Sequence, residues 1–418
     1  MNTTPQSNRL HIGIFGETNA GKSSLFNALI ETDTAIVSST PGTTTDSVQK
    51  AIELTPFGPV VLIDTAGLGD TTDLGSQRMA KTLKMLNRVD FAIYVVDAVN
   101  IDKGLLEYKK FIAEVEKTQT SHILVITKSD LICDRLHSSS VDNALAYKHL
   151  LHNDKLCLND FGTNLITVSI KKKDTINNLK STLIQHLSKI KKDSKSLLGD
   201  LLAPGATVLM VMPIDSEAPK GRLILPQSQL IRDCLDNGFM AYVVTDNELE
   251  AALANIKKID LVVTDSKVFG QVSKIVPPDI FLTSFSILMA RQKGDIETLL
   301  EGIKAITTLK NNDKILVSEV CTHNRTHEDI GRVKIPAALQ KLTGLTLNFK
   351  FTTGRDYPEN LTQYALVIHC GACMITANEM KGRITAAVDA CVPITNYGLF
   401  LAHASGVLTR SIEILKRK

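Results

Sequence analysis

Short apolar runs recur along the chain, separated by amphipathic stretches. In the first part they fall at 12–15, 60–63, 91–96, 122–126 and 165–169. Apolar runs of this length predict buried strands, and amphipathic stretches between them predict helices. That alternation is the βαβ rhythm of an open, parallel-rich sheet. The rhythm restarts after residue 200, with strands at 207–212, 241–244 and 261–264 and helices at 227–237 and 248–256. Asp246 and Asp265 sit where helix N-caps belong. It continues from about 276, with strands at 280–282, 314–320, 347–351 and 365–370 and helices at 295–309, 336–342, 379–391 and 405–415. An amphipathic helix over 175–187 is followed by a charged, small-residue stretch at 189–200, which marks the main boundary. The expected fold class is α/β: a parallel-rich sheet domain over 1–190, then two smaller α/β domains over 200–270 and 271–418.

The first strand runs into Gly16-Glu17-Thr18-Asn19-Ala20-Gly21-Lys22-Ser23, which fits the P-loop pattern G-x-x-x-x-G-K-[ST]. Glycines let such a loop fold tightly, so that backbone N–H groups converge on phosphate at a helix N-terminus. Lys22 would reach the outer phosphates and the Ser23 hydroxyl would ligate Mg²⁺. Gly16, Asn19, Ala20, Gly21 and Ser24 complete the expected phosphate-binding set.

Three further pieces follow in order. The strand at 60–63 ends in Asp64-Thr65-Ala66-Gly67. A carboxylate at Asp64 can hold Mg²⁺ through water, and Gly67 can give its N–H to a γ-phosphate. Thr44, in the Pro41–Asp46 segment, can complete the Mg²⁺ coordination. The catalytic set is thus Lys22, Thr44, Asp64 and Gly67. Next come Thr127, Lys128, Ser129 and Asp130. Asp130 can accept two hydrogen bonds from the N1–H and 2-amino groups of guanine, which adenine lacks. The Lys128 stem can lie across the ring, and Ser169 would close the pocket. Order and spacing, rather than any one piece, point to GTP.

Composition narrows the partners. The net charge of +3 gives no electrostatic case for nucleic acid. The basic runs at 171–173 and 189–192 read as solvated loop and linker. No apolar run is long enough to span a bilayer, and residues 1–10 are polar and unlike a signal peptide. Seven cysteines without an export signal argue against a disulfide framework. A cytoplasmic location is expected.

Residues 9–190 resemble translation-factor-type small GTPases, and among them the Era/MnmE-like group. The resemblance implies slow GTP hydrolysis stimulated by K⁺, with Asn19 as the side-chain ligand of that ion. Two positions depart from the pattern. Thr127 stands where Asn is usual, and its hydroxyl can still tie to the P-loop. Leu68 stands where many relatives carry Gln, and it cannot orient an attacking water.

The remaining chemistry lies near the C-terminus. One apolar strand ends at Cys321 and another at Cys370, followed by Gly371-Ala372-Cys373. Strand ends are where an open α/β sheet collects ligands. As parallel neighbours, the two strands would gather three thiols at one rim. Three soft ligands suit iron–sulfur or zinc, and from spacing alone iron–sulfur, zinc and no metal all stay open. Glu319 lies two residues before Cys321, and His323, His327 and His369 are also near enough to compete for a fourth place. Cys133, Cys157, Cys234 and Cys391 read as small buried hydrophobes.

The whole chain then resembles the HydF family, the GTPases of FeFe-hydrogenase maturation. The family pattern C-x-H…H-C-x-x-C is matched by Cys321, His323, His369, Cys370 and Cys373, and 393–398 (PITNYG) is similar too. The resemblance implies a 4Fe-4S cluster on Cys321, Cys370 and Cys373 with a labile fourth site. It also implies a homodimer through the middle domain. The implied role is a scaffold that takes a di-iron precursor from two radical-SAM maturases, HydE and HydG, and delivers it to apo-FeFe-hydrogenase. The competing expectation is an RNA- or ribosome-associated GTPase with a C-terminal zinc domain.

Overall fold

The structure, a computed structural model, describes residues 5–31, 48–65, 82, 84–131, 165–192, 195–215, 221, 223–320 and 330–416. The chain divides into two compact units, 1–193 and 194–418.

The first unit is built on a six-stranded sheet. Its strands are β1 (Leu10–Gly16), β2 (Val48–Leu54), β3 (Gly58–Asp64), β4 (Phe91–Asp97), β5 (Ser121–Thr127) and β6 (Leu165–Thr167), in the order β2-β3-β1-β4-β5-β6. All pairs are parallel except β2 with β3. β2 is missing from the apolar runs because it is an edge strand. It buries Ala51, Ile52 and Leu54 and interleaves them with Gln49, Lys50 and Glu53. The helix Ile101–Thr118 buries Leu105, Tyr108, Phe111 and Val115 at helical spacing against the sheet. The helix Lys173–Lys192 is longer than its apolar stripe predicts. Lys189, Lys191 and Lys192, expected in the linker, instead form its last turn, where the helix dipole favours cations.

The second unit holds two four-stranded, all-parallel sheets. The first comprises β7 (Thr207–Val211), β8 (Met240–Val244), β9 (Leu261–Thr264) and β10 (Phe281–Ser284), in the order β10-β9-β7-β8. The second comprises β11 (Lys314–Glu319), β12 (Asn348–Thr353), β13 (Leu366–His369) and β14 (Ile394–Asn396), in the order β12-β11-β13-β14. One apolar core joins them, with Leu209 and Val262 from one sheet and Leu316 and Val367 from the other.

Two expectations change here. β10 pairs with β9, so the first sheet of this unit continues past residue 270 and takes in the strand assigned to the third region. Periodicity locates a strand but not its partner. Leu197 and Leu198, read as linker, are buried in this unit's core. Among the described residues, no helix is long and apolar enough to cross a membrane.

Candidate functional site

β1 delivers the chain into the P-loop at Gly16, whose φ of +136° and crowding require glycine. A Cβ there would lie 2.3 Å from Val95 O. Gly21 (φ +93°) and Asn19 (φ 65°) also take left-handed backbone, which curls the loop. The helix Lys22–Glu31 starts directly behind it. Lys22 is buried, and its Nζ donates to Gly16 O at 2.9 Å and Glu17 O at 2.6 Å. The ammonium is thereby fixed inside the turn.

β3 lies beside β1 in register Ile14↔Asp64, which carries Asp64 to the loop. Ser23 Oγ donates to Asp64 Oδ2 at 2.8 Å. A hydroxyl and a carboxylate meeting at a phosphate loop are hard oxygen donors of the kind Mg²⁺ takes. Thr44 and Gly67 lie outside the described residues.

The residues expected from sequence to read the base gather at the ends of β5 and β6. Thr127 Oγ1 donates to Ala20 O at 2.6 Å, with Val96 O at 3.2 Å. Lys128 takes left-handed backbone (φ 57°), and its Nζ donates to Asn19 O at 3.0 Å and Asp97 Oδ2 at 2.6 Å. Ser169 Oγ donates to Asp130 Oδ1 at 2.9 Å, and Lys171 Nζ stands 2.9 Å from Asp130 Oδ2. The hydrogen bond from Lys171, and secondarily that from Ser169, holds the Asp130 carboxyl below the usual carboxylate range.

Asp97 and Lys171 were not singled out from sequence. Asp97 ends β4 opposite Thr127, a position that strand order alone reveals. By sequence, Lys171 belongs to a basic run that reads as solvated charge. It is 72% exposed, so its pair with Asp130 is a weak, solvent-screened one.

In the second unit, β11 and β13 pair in parallel with Ser318 opposite His369, so both chains leave the sheet at the same edge. Cys370 Sγ accepts a hydrogen bond from Val320 N at 3.2 Å, and Cys321 follows Val320 in sequence. Cys370 and Cys373 are both buried. Cys321 and His323 lie outside the described residues, and the described residues by themselves contain no group of three His, Cys, Asp or Glu side chains arranged to hold a metal.

His369 is fully buried, with Nδ1 2.8 Å from Cys370 O and Nε2 3.1 Å from Arg383 Nη1. A carbonyl only accepts and a guanidinium only donates, so the ring is the Nδ1–H tautomer with both nitrogens engaged. Arg383 also contacts Glu379 at 3.3 Å and lies over the Tyr357 ring. Glu319 Oε1 accepts from Tyr397 Oη at 3.1 Å.

The isolated cysteines divide. Cys234 is buried, and burial pushes its thiol up to about 12. Cys391, expected to be buried, is exposed. It occupies a left-handed turn (φ 54°) just after the helix Ala377–Asp389, where the chain swings out before β14. Cys133 and Cys157 lie outside the described residues.

Comparison with known proteins adds three family matches. Residues 11–128 match the 50S ribosome-binding GTPase family. Residues 197–294 match the hydrogen maturase F dimerization domain, and residues 297–414 match the hydrogen maturase F tetramerization domain. The mitochondrial 5-taurinomethyluridine tRNA synthase subunit GTPB3 of Danio rerio is 37% identical over 131 residues, 29% of this chain and 26% of that protein. The tRNA modification GTPase MnmE of Mesoplasma florum is 36% identical over 151 residues, 35% of this chain and 32% of that protein. The chain thus spans about a quarter to a third of the length of these curated relatives. The solved G domain of the T. maritima FeoB iron transporter is 21% identical, covering 43% of this chain and 99% of that one with a TM-score of 0.31.

Proposed function

The chain belongs to the hydrogen maturase F family, and from that premise we propose that it is a slow GTPase that carries iron–sulfur cargo during FeFe-hydrogenase maturation. Gly16, Asn19, Ala20, Gly21, Lys22, Ser23 and Ser24 hold the phosphates, and Lys128, Asp130 and Ser169 read guanine. Ser23 and Thr44 hold Mg²⁺ with Asp64 behind them; the Ser23–Asp64 oxygen pair supports this assignment. The ion neutralises charge on the β- and γ-phosphates. Asn19 holds K⁺. Lys22 is poised over the outer phosphates, and Gly67 senses the γ-phosphate. With Leu68 unable to orient water, hydrolysis is slow and serves as a switch.

Cys321, Cys370 and Cys373 hold a 4Fe-4S cluster. The observation that carries this reading is the Cys370 Sγ···H–N Val320 contact, which sets one sulfur against the residue preceding another of the cysteines. A sulfur that accepts a backbone N–H is suited to carrying thiolate charge. The fourth ligand is Glu319, His323 or His369; the engagement of both His369 nitrogens weighs against that residue. The second unit makes the homodimer through β8, an edge strand whose Met240, Tyr242 and Val243 are all exposed. The cargo is a di-iron precursor received from HydE and HydG and passed to apo-hydrogenase in the cytoplasm. An RNA-associated role is not favoured, since both hydrogen maturase F domains occupy the residues after the GTPase.

The test is anaerobic reconstitution of the full chain, followed by iron, sulfide and zinc analysis and by mixing with apo-hydrogenase. About four irons per chain, lost in Cys321→Ser and Cys370→Ser but kept in Lys22→Ala, is the expected result. Stoichiometric zinc without iron, or an iron-free chain, would overturn the carrier.

A further inference from the structure

The helix Phe285–Lys293 ends on a lysine that is 95% buried. Burying an ammonium is costly unless its donors are met. Lys293 Nζ lies 3.2 Å from Ala372 O, 3.1 Å from Cys373 O and 2.8 Å from Ile375 O. An ammonium carries three N–H donors, and three carbonyls of one short loop stand around it. That loop is the one bearing Cys370 and Cys373, and Ala372 within it takes left-handed backbone (φ 56°), a conformation that costs a non-glycine residue energy. Turning three carbonyls to one point needs such a bend.

The other end of the same helix touches the same region. A Cβ on Gly371 would lie 3.3 Å from Ser286 Oγ, and one on Gly398 would lie 2.8 Å from Ser286 Cβ. Asn396 Nδ2 donates to Ser286 O at 3.0 Å. Ser286 and Lys293 are seven residues apart and share a helix face. The helix belongs to the segment matched by the dimerization domain, and the loop to the segment matched by the tetramerization domain.

We propose that Lys293 is a positioning residue that clamps the Cys370–Cys373 loop onto the last helix of the dimerization segment, fixing where the two thiols stand. Its relevance to metal rests on the cluster reading above. The clamp itself does not, because it acts on the loop whether or not metal is bound. Since each peptide is trans and planar, carbonyls drawn to Lys293 turn the following N–H groups, those of Cys373, Met374 and Thr376, the opposite way. The positive charge also sits beside ligands that become thiolates on binding metal. That placement favours the more reduced, more negative state of a bound cluster.

The experiment has two arms on the full chain, with Lys293→Met, Lys293→Gln and, as a control of equal charge change, the exposed Lys304→Met. In the metal-free protein, alkylation of Cys370 and Cys373 is followed by peptide mass spectrometry. Lys293→Met should label about tenfold faster than wild type, the factor expected for losing at least one charge-assisted hydrogen bond. Lys293→Gln, which keeps donors without charge, should fall between them, and Lys304→Met should match wild type. If Lys293→Met does not fold, the Lys293→Gln rate decides. Wild-type labelling rates in whichever Lys293 variant folds would overturn the clamp. In the reconstituted protein, Lys293→Met should release iron to a chelator about tenfold faster and shift the midpoint potential to more negative values. A wild-type chain that takes up no iron would sink the cluster reading and leave the labelling arm to decide the clamp.

Discussion

Thr127 Oγ1 stands 2.6 Å from Ala20 O, so a hydroxyl at the end of β5 holds the phosphate loop from 107 residues away. Thr127 is almost fully buried, so this tie is made away from solvent. Thr127→Val keeps the shape and removes the donor. The expected cost is about 1–2 kcal/mol of domain stability, with guanine-nucleotide affinity falling in parallel. Thermal melting and titration with a fluorescent GTP analogue measure both, and unchanged values would show that the tie is idle.

In the proposed base pocket, the pH response of guanine binding follows from Asp130. Its folded-state carboxyl is held below the ordinary value of about 3.9 by Lys171 and Ser169. A depressed carboxyl contributes in full above the unfolded pKa and is lost as pH falls through the lower folded value. Affinity should therefore show no loss attributable to Asp130 between about pH 5 and 8. Asp130→Asn should reduce guanine binding at every pH, because an amide offers only one acceptor oxygen where two donors must be met. Equal affinity in Asp130→Asn would remove this residue from base recognition.

Thiol chemistry should separate Cys234 from Cys391. Burial raises the Cys234 thiol to about 12, whereas Cys391 is exposed. At pH 8 alkylation should mark Cys391 within minutes and leave Cys234 untouched until denaturant is added. Mapping labelled peptides reads this directly, and early labelling at 234 would mean that the helix Leu225–Asp236, which buries Cys234, opens readily.

Assembly should depend on β8. Tyr242 and Val243 are 43% and 48% exposed on an edge strand, which makes them the apolar side chains a second copy would cover. Tyr242→Lys with Val243→Lys should convert a dimer to a monomer in sedimentation velocity, while the circular dichroism of the chain stays the same. A dimer that persists would place the interface elsewhere.

Arg383→Met tests the buried network behind the cysteine loop. It leaves the Glu379 carboxylate, 8% exposed, without its closer cation, and frees His369 Nε2. Breaking a buried pair in this way costs about 3–5 kcal/mol. A lowered melting temperature is expected, and a change within about 0.5 kcal/mol would mean water replaces the guanidinium.

Some of this was legible in the residues and some was not. The P-loop was legible because its chemistry is local: the glycines, Lys22 and Ser23 are neighbours in sequence, and backbone freedom at Gly16 is a property of one residue. Most buried strands were legible for the same reason, since a continuous apolar run reports its own burial. β2 escaped because an edge strand alternates instead of running apolar. The chain order of Thr127, Asp130 and Ser169 suggested a base pocket. That Asp97 meets Lys128 and Lys171 meets Asp130 follows from tertiary packing, and no spacing rule carries that information.

The sequence by itself determined the α/β character, the nucleotide loop and the cysteine positions, because each depends on short-range pattern and on side-chain chemistry. Only the tertiary structure decided that β10 completes the second sheet, that Cys370 reaches Val320, that His369 is taken by Arg383, and that Lys293 holds the loop. These are contacts between residues from 14 to 82 positions apart. They form because buried polar groups must be paired, and which partner is near depends on how the whole chain is packed.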